Sequence, residues 1–265
     1  MKSFITLIFF LSLSSTILAD NIDTIMVKAA DLHMNQLQTG NFGYLQYSKK
    51  NKESAPTRVT YISFNVKQEP YHNKPAIEVL QQWDTDTTKH RCFTIFDAGT
   101  FSTCLQETYW KALGYSMKFD FESKKVEFIN VNNKAAIPDS VRQPVINDFE
   151  QSFTRYNLNW HADMIIYSLL NYRPGRTFVI NYYDPGFGKA EDVMYTVTGD
   201  DILTDHNGRK IDCWVLNHFN VNQLPEKGYE RFWICKKSNE VLKMEDYGGA
   251  GHGYRYKIKL GLSGD

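Results

Sequence analysis

The chain has 265 residues, and without Lys2, which sits in a leader-like segment, it carries 29 basic against 30 acidic residues. A balance this even gives no electrostatic footing for nucleic acid or for an anionic surface. Seventeen Phe, sixteen Tyr and five Trp, many in alternating runs, point instead to sheets that bury aromatic faces.

Lys2 is followed by an apolar run from Phe4 to Leu18, broken only by Thr and Ser, and then by Ala19 and Asp20. That is the charged, apolar and small-residue order of a secretory signal, too short and too hydroxylated to span a bilayer. The expectation is a signal peptide over 1–19, cleaved near Ala19, and one exported domain over 20–265. No cysteine lies near the cleavage point, so lipid attachment there is not available. No later apolar stretch of about 18 residues follows, which predicts no transmembrane segment after cleavage.

Thr24 to Gln38 places Ile25, Ala29, Leu32 and Gln36 on one stripe and Met26, Ala30, His33 and Leu37 beside it. With Asp23 as cap and Gly40 past the end, this predicts an N-terminal amphipathic helix near 24–38. Seven strand-like runs follow: 42–47, 58–66, 77–83, 90–96, 101–107, 116–121 and 126–131. Turn residues such as Asp97-Ala98-Gly99 separate them, so a meander is the simplest topology. The stretch 132–157 is irregular, with Pro138 and Pro144. A helix is expected over about 160–171, capped by Asn159, ended by Pro174-Gly175 and apolar around most of its circumference. Strands resume at 177–183, 192–199, 209–219, 229–237, 241–246 and 254–260. The fold class is mainly β (α+β): a strongly curved antiparallel sheet or open barrel wrapped around a helix.

In an exported chain the four cysteines can pair. Cys92 and Cys104 are equidistant from Ala98, and Cys213 and Cys235 from Leu224. The first register sets Lys89 against Glu107 and Ile95 against Phe101. The second sets Asp212 against Lys236 and His218 against Glu230, two complementary pairs. Local disulfides Cys92–Cys104 and Cys213–Cys235 are therefore expected, with other connectivities left open.

The sequence shows no catalytic constellation and implies no cofactor and no metal site. Gly186-Phe187-Gly188-Lys189 lacks the first glycine and the hydroxyl residue of a phosphate loop, and Asp184-Pro185-Gly186 reads as a turn. The glycine-rich run 248–253 leads into a strand, so it reads as a hairpin loop. Asn207-Gly208 is a hairpin signal. The seven histidines are scattered, and His161 and Asp163, two apart on a helix, do not share a face.

From Tyr254 to Leu260 the even positions are apolar and Arg255, Lys257 and Lys259 are basic. This reads as a core face and a solvated face, the basic one alternatively meeting an anionic headgroup or partner. Trp83, Trp110, Trp160, Trp214 and Trp233 are core in a closed sheet; in an open half-barrel some line a cavity. The cavity candidates are Trp83, Trp160, Trp214, Trp233 and Tyr254.

The segment 160–175, ending Leu169-Leu170-Asn171-Tyr172-Arg173-Pro174-Gly175, is followed by the strand 178–183 and by Tyr195-Thr196-Val197-Thr198-Gly199-Asp200-Asp201-Ile202. Cys213-Trp214-Val215, Phe232-Trp233-Ile234 and 241–245 complete a pattern over roughly 77–260. It resembles a family of exported bacterial proteins of unknown function whose sheet is similar to the LolA/LolB-type lipoprotein carriers. The resemblance implies an open β-barrel closed by helices, a periplasmic setting and a concave apolar face for a lipid-like group or lipidated protein. It brings no catalytic residue. The expected function is thus a non-enzymatic binding or carrier protein for an apolar ligand. The rivals are an envelope assembly factor acting through its surface and, third, an envelope hydrolase.

Overall fold

The structure, a computed structural model, describes residues 23–130, 137–219, 228–248 and 253–261. The expected leader, the centre of the Cys213–Cys235 hairpin and most of the glycine-rich loop lie outside the described residues.

Seven strands form a first antiparallel meander: β2 (Gly40–Lys49), β3 (Thr57–Tyr71), β4 (Lys74–Asp84), β5 (Thr88–Asp97), β6 (Thr103–Trp110), β7 (Tyr115–Asp120) and β8 (Lys125–Asn130). A second, flanked by the two-residue β9 (Leu158–Asn159) parallel to its first strand, runs through β10 (Thr177–Tyr183), β11 (Glu191–Thr204), β12 (Lys210–His218), β13 (Tyr229–Cys235), β14 (Val241–Tyr247) and β15 (Tyr254–Leu260). Antiparallel pairing of β15 with β2 joins them into one sheet. Strand alternation decides the faces. On β3, Ile62, Phe64 and Val66 are each 1% exposed on the concave side, while Val59 and Tyr61 stand outside at 50% and 44%.

The concave side wraps a compact helical run: a 3-10 turn at Trp160–Ala162, α2 (Asp163–Ile166) and a second 3-10 turn at Tyr167–Leu169. Asn159 caps it as expected, its side-chain oxygen accepting from the His161 amide at 3.0 Å. Ile165, Ile166, Tyr167 and Leu169 pack there against Phe178, Tyr195, Leu216 and Phe232 in one core cluster.

Several expectations fail for physical reasons. The segment near 24–38 is not a helix. Thr24–Met26 is a strand, β1, parallel to β10, followed by 3-10 turns at Ala29–Asp31 and Met34–Gln36. Asp23 caps nothing; it holds Arg173 and Arg176. Tertiary pairing with β10 outweighs local helical periodicity here. The irregular stretch contains α1 (Asp139–Ser152), with Pro144 inside it. Pro138 as N-cap fits a helix start, and the bond Pro144 cannot donate is offset by packing of Phe149 against Phe119 and Phe121.

All four cysteines are free. The Cys92–Cys104 pairing is excluded by register, because the β5–β6 turn spans more residues than a three-residue loop. Cys92 faces Thr108, Glu107 faces Phe93 rather than Lys89, and a shift separates Ile95–Leu105 from Phe96–Thr103. Cys213 does stand opposite Cys235, with His218 opposite Glu230, as expected; the sulfurs are unbonded.

The last strand is inverted relative to expectation. Met244 pairs with Lys257, which puts Lys257 and Lys259 on the concave side, 9% exposed as a residue and 4% as a side chain respectively. Lys259 meets the buried Glu240, and Arg255 meets Asp246 at 2.6 Å. Tyr254 and Leu260 face outward, Leu260 being 48% exposed. Alternation shows that a strand has two faces but not which one the neighbours turn inward.

Candidate functional site

The concave faces of β4, β5 and β6 carry polar residues where β10 to β13 carry mostly apolar ones. Register lines them up in rows: Trp83, His90 and Trp110 in one, Gln81, Cys92 and Thr108 in the next, then Thr94 and Gln106. Two chain segments close over these rows. The first is the helix start, where Asn159 donates to Gln106 at 2.5 Å and to Thr103 at 3.4 Å. The second is the turn from Asp184 to Gly188, drawn tight by the Phe187 amide donating to the Asp184 carbonyl at 2.9 Å. Gly186 has φ +93°, a backbone conformation that strains any side chain, and the turn there lies against Met117 of the sheet.

The result is an aromatic niche. The Trp83 and Trp110 rings lie 5.7 Å apart at 68°, and His90 lies 4.0 Å from Trp110 and 5.0 Å from His161. Phe187, 45% exposed, stacks edge-on to Trp110 at 5.6 Å and forms the outer lip. His161 Nδ1 sits 3.1 Å from Asp184 Oδ1 without the alignment of a hydrogen bond. Buried polar atoms without a partner gather here: both indole N–H groups, His90 Nε2, Gln81 Oε1 and Gln106 Nε2. Each costs desolvation energy that nothing in the fold returns.

His90 Nδ1 lies 3.2 Å from the Tyr109 carbonyl, which can only accept, so Nδ1 carries the proton and Nε2 presents a lone pair. Burial, and then the neighbouring His161, lower the His90 pKa to about 3, so the ring is neutral at physiological pH. Burial pushes the Cys92 thiol up to about 12, which keeps it protonated and a poor nucleophile.

Beside the niche, the Lys257 ammonium lies 6.0 Å over the Trp83 ring. Burial first, then Asp246 and Asp163, raise Glu230 to about 7, against the pull of Lys257 and Arg255. Among the described residues no three His, Cys, Asp or Glu side chains converge as metal ligands do.

Of the expected cavity residues, Trp83 is in the niche and Trp160 stands next to it, 5.1 Å from Tyr182. Trp214 packs on the far wall of the core, under Lys236 at 4.3 Å. Trp233 and Tyr254 are corrections. Trp233 is on the convex face, donating to Asp201 at 2.8 Å with Lys243 above it at 3.9 Å, and Tyr254 stacks on Tyr247 at 4.8 Å. Strand parity sends both away from the interior. Sequence reasoning missed His90, His161 and Asp184. The available signal was the run of Gln, His, Thr and Gln at inward positions of three successive strands, with the Asn159-Trp160-His161 cap opposite.

The family profile described as a protein of unknown function, DUF3108, matches residues 45–256. The chain belongs to the DUF3108 family. No curated protein matches it. Among solved structures, this DUF3108 protein is similar to a β-barrel-like DUF1849 protein from Brucella abortus, at 7% identity and TM-score 0.35, covering 84% of this chain and 97% of that one. The hypothetical lipoprotein YmcC from Escherichia coli is similar at 15% identity and TM-score 0.30, with 87% and 93% covered. A putative outer membrane lipoprotein-sorting protein domain from Vibrio parahaemolyticus follows at 10% identity and TM-score 0.26, with 89% and 92% covered. The family match bears out the expected membership in an uncharacterised family.

Proposed function

We propose that this DUF3108 protein is an exported, periplasmic, non-enzymatic binding protein for an apolar or lipid-like ligand, held at the Trp83–Trp110 niche. The observation that carries the reading is the concentration of unpartnered buried polar atoms within aromatic walls, beneath the exposed Phe187. Aromatic lining with a few convergent polar groups and a perturbed titratable residue is how small-molecule sites are built. A neutral His90 and a protonated Cys92 support binding rather than chemistry.

The core around α2 is filled, so the ligand engages the rim of the concave face rather than a wide lumen. Native mass spectrometry of the protein, purified from its own periplasm without detergent, tests this. A stoichiometric apolar adduct, lost on replacing Trp110 and Phe187 by Ala, supports the reading. A clean mass with no uptake of offered lipids sinks it and favours an assembly factor acting through its surface.

A further inference from the structure

Taking the niche as the binding site, we infer that it selects its ligand by a neutral acyl carbonyl, the ester or amide group of an acyl chain, rather than by hydrocarbon alone or by a carboxylate. The unpartnered groups include three donors, the two indole N–H groups and the Gln106 amide. Gln106 is 0% exposed, so water at the surface cannot satisfy it. A carbonyl oxygen accepts two hydrogen bonds, so it can satisfy two such donors at once.

The surrounding charges disfavour an anion. Lys257 lies over Trp83, and both it and Arg255 act on Glu230; Asp184 lies against His161, and Asp163 is buried and acts on Glu230 as well. A carboxylate would enter a setting in which Glu230, Asp246, Asp163 and Asp184 outnumber Lys257 and Arg255. The lone pair on His90 Nε2 offers an acceptor for a hydroxyl or amide N–H beside the carbonyl. A site that hydrogen-bonds its ligand rejects an analogue lacking those atoms, because its own buried donors are then left unpaired.

The test is titration of the full-length mature protein, its indole N–H resonances followed by NMR, with monolauroylglycerol, laurate and dodecane. The ester is expected to bind at least roughly ten-fold more tightly than either of the others and to move the Trp83 and Trp110 indole signals. Trp83→Phe and Trp110→Phe each reduce that preference several-fold, while Trp233→Phe, on the convex face, leaves it intact. The wild-type resonances decide even where a niche variant folds poorly. Dodecane or laurate binding as tightly as the ester, with unmoved indole signals, overturns the carbonyl inference and leaves the binding reading standing. Absence of binding by all three overturns both.

Discussion

Two walls of the same concave face differ sharply. On β10 to β13, Phe178, Ile180, Tyr195, Val197, Leu216, Phe232 and Ile234 point inward and close on α2. On β4 to β6, Gln81, His90, Cys92, Thr94, Gln106 and Thr108 hold the inward positions, all buried and several with an unpartnered atom. Strand geometry and pairing are alike, so the contrast lies in the side chains. The first wall holds the molecule together, whereas the second carries costs that folding alone does not explain, the usual mark of a site kept for something else.

That contrast can be broken or sharpened by measurement. Phe232→Ala, in the apolar wall, is expected to cost about 3–5 kcal/mol in denaturant unfolding. Lys259→Met leaves Glu240 buried without its cation and should cost about 3 kcal/mol, with the midpoint shifting and the slope unchanged. Oxidation should join Cys213 to Cys235, which stand opposite each other, and leave Cys92 a thiol. Peptide mapping reads the linkage, and its formation should stabilise by roughly 3 kcal/mol in the chain-entropy model.

Glu230 supplies a pH test. Its pKa in the folded protein, about 7, lies above the ordinary 4.5, so the native state binds the extra proton. Its contribution is therefore full below about 4.5 and is lost as pH rises through 7. Because its side chain is 23% exposed, the loss is held to about 1 kcal/mol. Glu230→Gln should flatten that part of the stability curve. His90, lowered to about 3, has the opposite sign: its contribution is lost as pH falls from about 6.5 toward 3. The smallest expected effect is Gln81→Met, neutral or stabilising by up to about 1 kcal/mol, because it removes an orphaned carbonyl oxygen. A large destabilisation there would put the polar wall on the same footing as the apolar one.

Alternation and turn residues made thirteen strands legible, with 177–183 and 254–260 matching to the residue. They could not say which face of β15 turns inward, since Lys257 and Lys259 are inward only through pairing with β14 and β2. Thr24–Met26 carries a helix-like pattern and becomes a strand because β10, some 150 residues on, offers an open edge. The site was harder still. Trp83, His161 and Phe187 come from three distant segments, and hydrophobic patterning gives no weight to polar residues in an interior.

The seam between β15 and β2 bears on the order in which the chain can assemble. Each meander is built from neighbours in sequence and can zip locally, but the seam unites the C-terminal strand with the first meander. During synthesis the two halves must therefore wait for Tyr254 to Leu260 to emerge before the curved sheet becomes continuous. Such long-range closure is slow, and until it occurs two unpaired strand edges stand exposed. A chain cut before Tyr254 would remain two sheets with no bond between them at that seam.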